Sequence, residues 1–234
     1  MRIGKWAGVA AALAGMLGGT VPQPARAGGA PLGLYAGGFA SWLESGFDLN
    51  VTPLNPTLPA RVTTSGIGGG FMVGYDWAPF FDNWTVGAVA DASFGNWGES
   101  FGPNNGNEID VDFLVTMRGR VGYWVQPHLM PYFTAGIAWQ GTTFHNPPRT
   151  STSATAVNVI NFSNTMTGWT IGGGLDWTLA HAITLNAEYL FADFGTWEFT
   201  QATGKFTVPI TTQQVRLGVK IPLSDPEYIA AHRY

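Results

Sequence analysis

Asp110-Val-Asp-Phe-Leu-Val-Thr-Met-Arg-Gly-Arg-Val-Gly-Tyr123 is the stretch that decides the fold. Its even positions carry Asp110, Asp112, Leu114, Thr116, Arg118, Arg120 and Gly122. Its odd positions carry Val111, Phe113, Val115, Met117, Gly119, Val121 and Tyr123. A helix would scatter these charges around its circumference. An extended chain, whose side chains alternate between two faces, puts the charges on one face and the apolar groups on the other. The segment is therefore expected to be a strand with one wet and one greasy side.

The same sorting recurs along the chain. Phe71, Val73, Tyr75 and Trp77 oppose Gly70, Met72, Gly74 and Asp76; Val86, Ala88, Ala90 and Ala92 oppose Thr85, Gly87, Asp91 and Ser93. Phe133, Ala135, Ile137 and Trp139 oppose Tyr132, Thr134, Gly136 and Gln140; Trp169, Ile171, Leu175 and Trp177 oppose Thr170, Gly172, Gly174 and Asp176. Ile183, Leu185, Ala187 and Tyr189 oppose Thr184, Asn186 and Glu188; Val215, Leu217 and Val219 oppose Gln214, Arg216 and Gly218. Leu34 to Leu43 adds an eighth segment with weaker alternation. Between the segments, residues 44–65, 98–109, 144–165 and 197–210 form long intervals rich in Asn, Thr, Pro and Gly. Residues 78–83, 126–130 and 179–182 form short ones. Eight strands long enough to cross a membrane at a tilt, joined by alternating long loops and short turns, are the pattern of an all-β, eight-stranded antiparallel transmembrane β-barrel. It would have four long external loops and three short periplasmic turns. With an even strand number, both ends of the barrel segment fall on the periplasmic side.

Composition agrees. Charged residues make up 11% of the 234 residues, aromatics 14%, and Gly numbers 32. So little charge cannot dress a soluble surface of ordinary makeup, where about 25% is usual. A mean hydropathy of only +0.08 does not suit a helical membrane protein either. The absence of Cys excludes disulfides, thiol catalysis and Cys-ligated metal. A net charge of −4 argues against nucleic acid as a partner.

The first 27 residues read as an address. Arg2 and Lys5 precede the apolar stretch Ala7 to Val21, and Ala25-Arg26-Ala27 supplies an A-x-A site. A membrane anchor is the alternative, but the apolar run is shorter than a span of about 20 residues requires. The chain thus divides into a cleavable signal peptide over 1–27, a barrel over 28–223 and a short C-terminal tail over 224–234.

Tryptophan gives an independent check. Trp42, Trp97, Trp139, Trp169 and Trp197 fall toward the long-loop ends of strands, and Trp77, Trp84, Trp124 and Trp177 toward the short-turn ends. Two bands of amphipathic rings are what two membrane interfaces call for, so these nine residues are assigned to aromatic girdles. A soluble β-sandwich, the competing fold, gives no reason for Trp to sort by strand end.

Several stretches resemble the opacity-type outer-membrane β-barrel proteins, relatives of the OmpA-like and OmpX-like small barrels. They include Gly33-Leu34-Tyr35-Ala36-Gly37-Gly38, Gly66-Ile67-Gly68-Gly69-Gly70, Arg118-Gly119-Arg120-Val121-Gly122-Tyr123, Pro131-Tyr132-Phe133-Thr134-Ala135-Gly136 and Glu188-Tyr189-Leu190-Phe191-Ala192-Asp193-Phe194-Gly195. Each is weak alone; they occur in family order and cover most of the region after residue 27. The resemblance implies a monomeric barrel in the outer membrane, handled by the barrel insertion machinery and surrounded by outer-membrane lipid. It would serve as a surface antigen, a structural protein or a small porin. One departure stands out. The family usually ends its last strand on an aromatic residue, whereas here Ile221-Pro222-Leu223 is followed by a tail ending in Tyr234.

No catalytic, cofactor-binding or metal site emerges. Gly66-x-Gly68 lacks the third glycine and the following helix of a dinucleotide fingerprint; glycine here reads as relief of crowding in a narrow barrel. His128, His145, His181 and His232 are scattered over turns, a loop and the tail. The stronger signal is charge of lumen parity: Asp76, Asp91, Asp110, Asp112, Asp176 and Glu188 against Arg118, Arg120, Arg216 and Lys220. An eight-stranded barrel is just wide enough for side chains to fill. Asp91, Arg118, Arg120, Glu188 and Arg216 are therefore expected to form a charge network that plugs the lumen, with Arg118 or Arg120 in salt-bridge reach of Asp91 or Glu188. The expected function is a structural, surface-exposed barrel. The alternatives are a small porin-like channel for ions or small solutes and, further off, a lipid-modifying outer-membrane enzyme. What the external loops bind is not written in their composition.

Overall fold

A computed structural model describes residues 33–48, 50–52, 61–77, 83–101, 107–145, 162–180, 183–201 and 204–223. They are almost entirely strand: β1 (Gly33–Asp48), β2 (Asn50–Thr52), β3 (Arg61–Trp77), β4 (Trp84–Gly95), β5 (Trp97–Phe101), β6 (Asn107–Tyr123), β7 (Leu129–His145), β8 (Phe162–Ala180), β9 (Ile183–Gln201) and β10 (Gly204–Pro222). The hydrogen-bonded order is β1-β3-β4-β6-β7-β8-β9-β10, and β1 pairs back onto β10. All these pairings are antiparallel, so the sheet closes into an eight-stranded barrel. β5 prolongs β4 along β6, and β2 is a short addition to β10. Closure leaves no free sheet edge along the closed height. The proposed signal peptide and tail lie outside the described residues.

Alternation shapes the wall. In the half nearest the short turns, one parity of every strand points outward and is apolar. Ile67, Phe71, Val121, Phe133, Ile137, Leu175, Val215 and Leu217 are all exposed, Ile67 at 77% and Leu217 at 66%. A belt of exposed aliphatic and aromatic side chains on a closed barrel is stable only in an apolar surround. Trp169 and Trp177 bracket it on the outer face of β8, each about half exposed. They are separated by about 26 Å of strand at 3.3 Å per residue. Trp42, Trp77 and Trp84 lie outward in the same two bands; Trp139 is partly covered.

The strands continue past this belt, and here the sequence expectation needs correction. Much of the intervals read as long loops is strand: residues 44–48, 61–65, 98–101, 107–109 and 197–201 lie in β1, β3, β5, β6 and β9. Strands of 16–19 residues, as in β1 and β8, exceed what a crossing needs. Polarity also inverts in the extension. Leu43, Phe47, Val62, Trp97, Ile109, Val111, Val208 and Ile210 now point inward and are buried. Arg61, Ser65, Glu108, Asp112, Ser163, Thr165 and Thr167 point outward and are exposed. This is the arrangement of a water-soluble barrel. The expected loops were bounded where apolar-outward alternation stopped, yet a strand leaving the bilayer has to exchange its outer residues for polar ones.

Asp110 and Asp112 are the second correction. Their parity assigned them to the lumen. The β6–β7 register shifts between Val111 and Phe113, so Asp112 is the extra residue of a β-bulge. One extra residue reverses the phase of every side chain beyond it. Leu114, Thr116, Arg118 and Arg120 point inward at even numbers, whereas Ile109 and Val111 point inward at odd ones. Asp112 is exposed and accepts a hydrogen bond from Thr143 Oγ1 at 2.7 Å.

Candidate functional site

The lumen is the only place where polar chemistry is concentrated in the described wall, and it is filled in layers. Nearest the short turns, Arg120 (β6) contacts Asp176 (β8) at 2.5 Å and Asp76 (β3) at 3.4 Å. Lys220 (β10) lies 2.8 Å from both Asp176 oxygens. The Arg120 guanidinium stacks 4.2 Å from the Tyr132 ring centroid and donates to Tyr35 Oη at 3.3 Å. One layer up, Arg118 (β6) reaches Asp91 (β4) at 2.6 Å and Glu188 (β9) at 2.7 Å. Arg216 (β10) contacts the same two carboxylates at 2.8 and 3.5 Å and sits 4.6 Å over the Phe39 ring.

Each layer is electrically balanced: two carboxylates with two cations. A charge in so enclosed a space needs a partner, and neutral polar groups add further hydrogen bonds. Thr116 Oγ1 donates to Asp91 at 2.6 Å and accepts from Arg118 Nε at 2.8 Å. Tyr132 joins the layers, since its hydroxyl donates to Glu188 at 2.9 Å and accepts from Asn186 Nδ2 at 2.8 Å. Asn186 also donates to Asp176 at 2.7 Å. Above the charges lies a belt of neutral polar groups, in which Thr212 Oγ1 donates to Gln140 at 2.7 Å and meets Ser45 Oγ at 2.8 Å. The apolar cluster of Leu43, Trp97, Leu114 and their neighbours closes the far end.

All five residues named from sequence for the network, Asp91, Arg118, Arg120, Glu188 and Arg216, thus point into the lumen, but they divide between two layers. Arg120 belongs to the lower one with Asp76, Asp176 and Lys220. The division, and the bridging Tyr132, were beyond a parity count; the shear between strands sets which residues share a height.

Two Trp assignments are corrected. Trp97 is not in a girdle: it is 1% exposed and lies inside the barrel. Its number has the inward parity of Asp91 and Ser93 on the same run of chain, so parity carried the signal that proximity to a loop obscured. Gly66, Gly68 and Gly95 make its slot, because a Cβ on Gly68 or Gly95 would overlap the indole. Trp124 lies beyond the end of β6 and turns inward at the short-turn mouth, where its Nε1 donates to Thr85 Oγ1 at 2.9 Å. It lines a small mouth pocket with Tyr35, Asp76, Asp176 and Lys220. The Trp197 side chain lies outside the described residues.

Comparison with known proteins places this architecture. Residues 10–225 match the sequence profile of the outer membrane protein beta-barrel domain. The chain belongs to that family. The 31 kDa outer-membrane immunogenic protein of Brucella melitensis is 29% identical over 165 residues, spanning 68% of this chain and 67% of that one. The 22 kDa outer membrane protein of Rhizobium leguminosarum bv. viciae is 27% identical over 158 residues, with the same coverage of 68% and 67%. Among solved structures, Neisserial surface protein A superimposes with a TM-score of 0.50 at 9% identity, covering 81% of this chain and 97% of its own, a likeness of fold alone. The expected small-barrel family and the outer-membrane location therefore stand: this is an outer-membrane β-barrel protein.

Proposed function

We propose that this family member is a structural, surface-displaying barrel with a lumen closed to ions and solutes and with no catalytic role. The observation that carries the reading is the lumen filling. Two balanced ion-pair layers, a neutral polar belt and an apolar cap follow one another along the axis. A hydrated ion would have to break charge-assisted pairs and then cross an apolar plug. The four buried carboxylates each lie against a guanidinium or ammonium, which leaves them poor candidates for acid–base work. The short turns face the periplasm in this reading, and the water-facing extension carries the loops outside the cell. Display at the surface accords with the name of the Brucella relative, an outer-membrane immunogenic protein.

Planar-bilayer recording of the refolded protein tests the closed lumen. Bilayers holding it are expected to show no unitary current above the lipid background. Reproducible single-channel steps that scale with protein insertion would overturn the reading in favour of a small porin.

A further inference from the structure

The barrel wall is not continuous to its loop end. The β8–β9 ladder stops at Trp169 opposite Asp193. Beyond it, β8 runs on to Phe162 paired with β7, and β9 runs on to Gln201 paired with β10. The cause is local. Gly195 adopts a left-handed φ of 71°, and its N–H donates to Asp193 Oδ1 at 2.7 Å. The β9–β10 register slips between Pro209 and Thr211 at the same height. A bulge of this kind bends its strand and ends pairing on one side. Asp193-Phe194-Gly195 therefore steers β9 away from β8 and opens a seam.

The direction of the unpaired groups follows from the register. Thr178 N donates to His128 O on the β7 side, and β7 and β8 stay in one register from Leu129–Trp177 to Phe144–Phe162. Backbone groups of successive residues in a strand alternate between its two neighbours. Even-numbered residues of β8 thus bond to β7, and Ser163, Thr165 and Thr167 aim their N–H and C=O groups into the seam, where the described residues offer no ladder partner. Their side chains are exposed and uncharged. Natural edge strands are usually guarded by Lys, Pro or a bulge; this edge, over residues 163–167, has none of these.

Charge says what kind of strand fits. Glu44, Asp48, Glu99, Glu108, Asp110 and Asp112 lie on the same extension as Asp193 at the foot of the seam, and Arg61 is the lone cation among the described side chains there. We infer that the seam edge of β8 binds an extended, cationic polypeptide segment by strand addition, the backbone of residues 163–167 supplying the hydrogen bonds and the acidic extension the attraction. A second copy fits less well. Two copies inserted with the same sidedness are related by rotation about the membrane normal, which brings two β8 edges together parallel, the weaker pairing. The inference rests on the surface-display reading only for the side from which the partner comes; binding in detergent does not depend on sidedness or conductance.

The test is fluorescence anisotropy with the refolded full-length protein and a labelled peptide of about ten residues alternating Lys and Val. Binding is expected. It should weaken about tenfold or more when alternate peptide nitrogens are methylated, when Glu replaces Lys in the peptide, and in a Thr165→Pro variant, since each change removes hydrogen bonds or attraction worth about 1.4 kcal/mol or more. Thr165 has no N–H in the β7 ladder, so the variant should keep the barrel; an unchanged gel-mobility shift on boiling checks this. Equal binding of the methylated peptide would reduce the effect to charge alone and overturn strand addition. Equal binding of the Glu peptide would overturn the cationic preference. No binding by the wild type, or a dimer that Thr165→Pro dissociates, would overturn the proposal outright.

Discussion

Arg118 on β6 and Glu188 on β9 meet across the barrel at 2.7 Å, from positions 70 residues apart in sequence. Both side chains are at most 5% exposed. Each also contacts another member of its layer, so Asp91, Arg118, Glu188 and Arg216 act as a closed square of alternating charge. Removing one corner leaves a net buried charge. Glu188→Ala is expected to cost on the order of 3–5 kcal/mol, whereas replacing Glu188 and Arg118 together by apolar residues of similar size should cost much less. Urea unfolding from lipid vesicles gives both numbers. Equal losses for the single and double variants would show that the square is not a charge-balanced unit.

Trp97 allows the cap and the charge layers to be separated. Trp97→Ala removes a large, fully enclosed side chain and should destabilise the barrel by about 3–5 kcal/mol. It should not make the lumen conduct, because both ion-pair layers remain below it. A conducting Trp97→Ala barrel would mean that the apolar cap alone is the seal. Position can be read separately: among variants that keep one Trp each, Trp169 fluorescence should be quenched by brominated lipid and Trp97 fluorescence should not.

How much of this was legible beforehand depends on which physical rule was in force. Period-two alternation places every strand of the belt and points Asp91, Arg118, Arg120, Glu188 and Arg216 inward, because lipid on one side leaves one parity for polar groups. The rule fails where lipid ends. Val62, Ile109 and Val208 look like loop residues only if apolar side chains are assumed to face outward, and in the extension they face inward. Asp112 fails for a different reason. A one-residue bulge is invisible to a parity count and reverses everything beyond it. Trp97 is legible from parity, which it shares with Asp91 and Ser93, whereas its closeness to a loop points the wrong way. Which charges share a layer depends on the stagger between strands, and that is a property of the closed barrel rather than of any one segment.

Sidedness follows from the extension. Thr165, exposed on β8 in the loop half, and His128, exposed in the short turn before β7, lie at opposite ends. The chain contains no Cys, so a single introduced thiol reports without background. Thr165→Cys is expected to react with an impermeant thiol reagent on intact cells, and His128→Cys only after the outer membrane is opened. The opposite pattern would invert the barrel in the membrane.

Closure itself can be trapped chemically. Ala40 on β1 stands opposite Leu217 on β10, and both face outward. Directly opposed antiparallel residues have Cβ atoms about 4.5–5.5 Å apart, near enough for a disulfide after small adjustment, whereas diagonal neighbours are about 7–8 Å apart. Ala40→Cys combined with Leu217→Cys should therefore oxidise in the folded barrel in detergent and not in urea. Ala40→Cys combined with Val219→Cys, two residues out of register, should stay reduced under the same conditions. The bond would tie the first strand to the last and constrain the unfolded chain as a loop, so the bridged protein should run as a more compact band on a non-reducing gel after boiling. It should also unfold at higher urea than its reduced form, because a long closed loop lowers the entropy of the unfolded state. Bridging in the off-register pair and not in the matched one would mean that β1 and β10 close with a different stagger. The layers of the lumen would then have to be redrawn, because the stagger of β1 on β10 sets which residues of β1 and β3 stand level with Arg216 and Lys220.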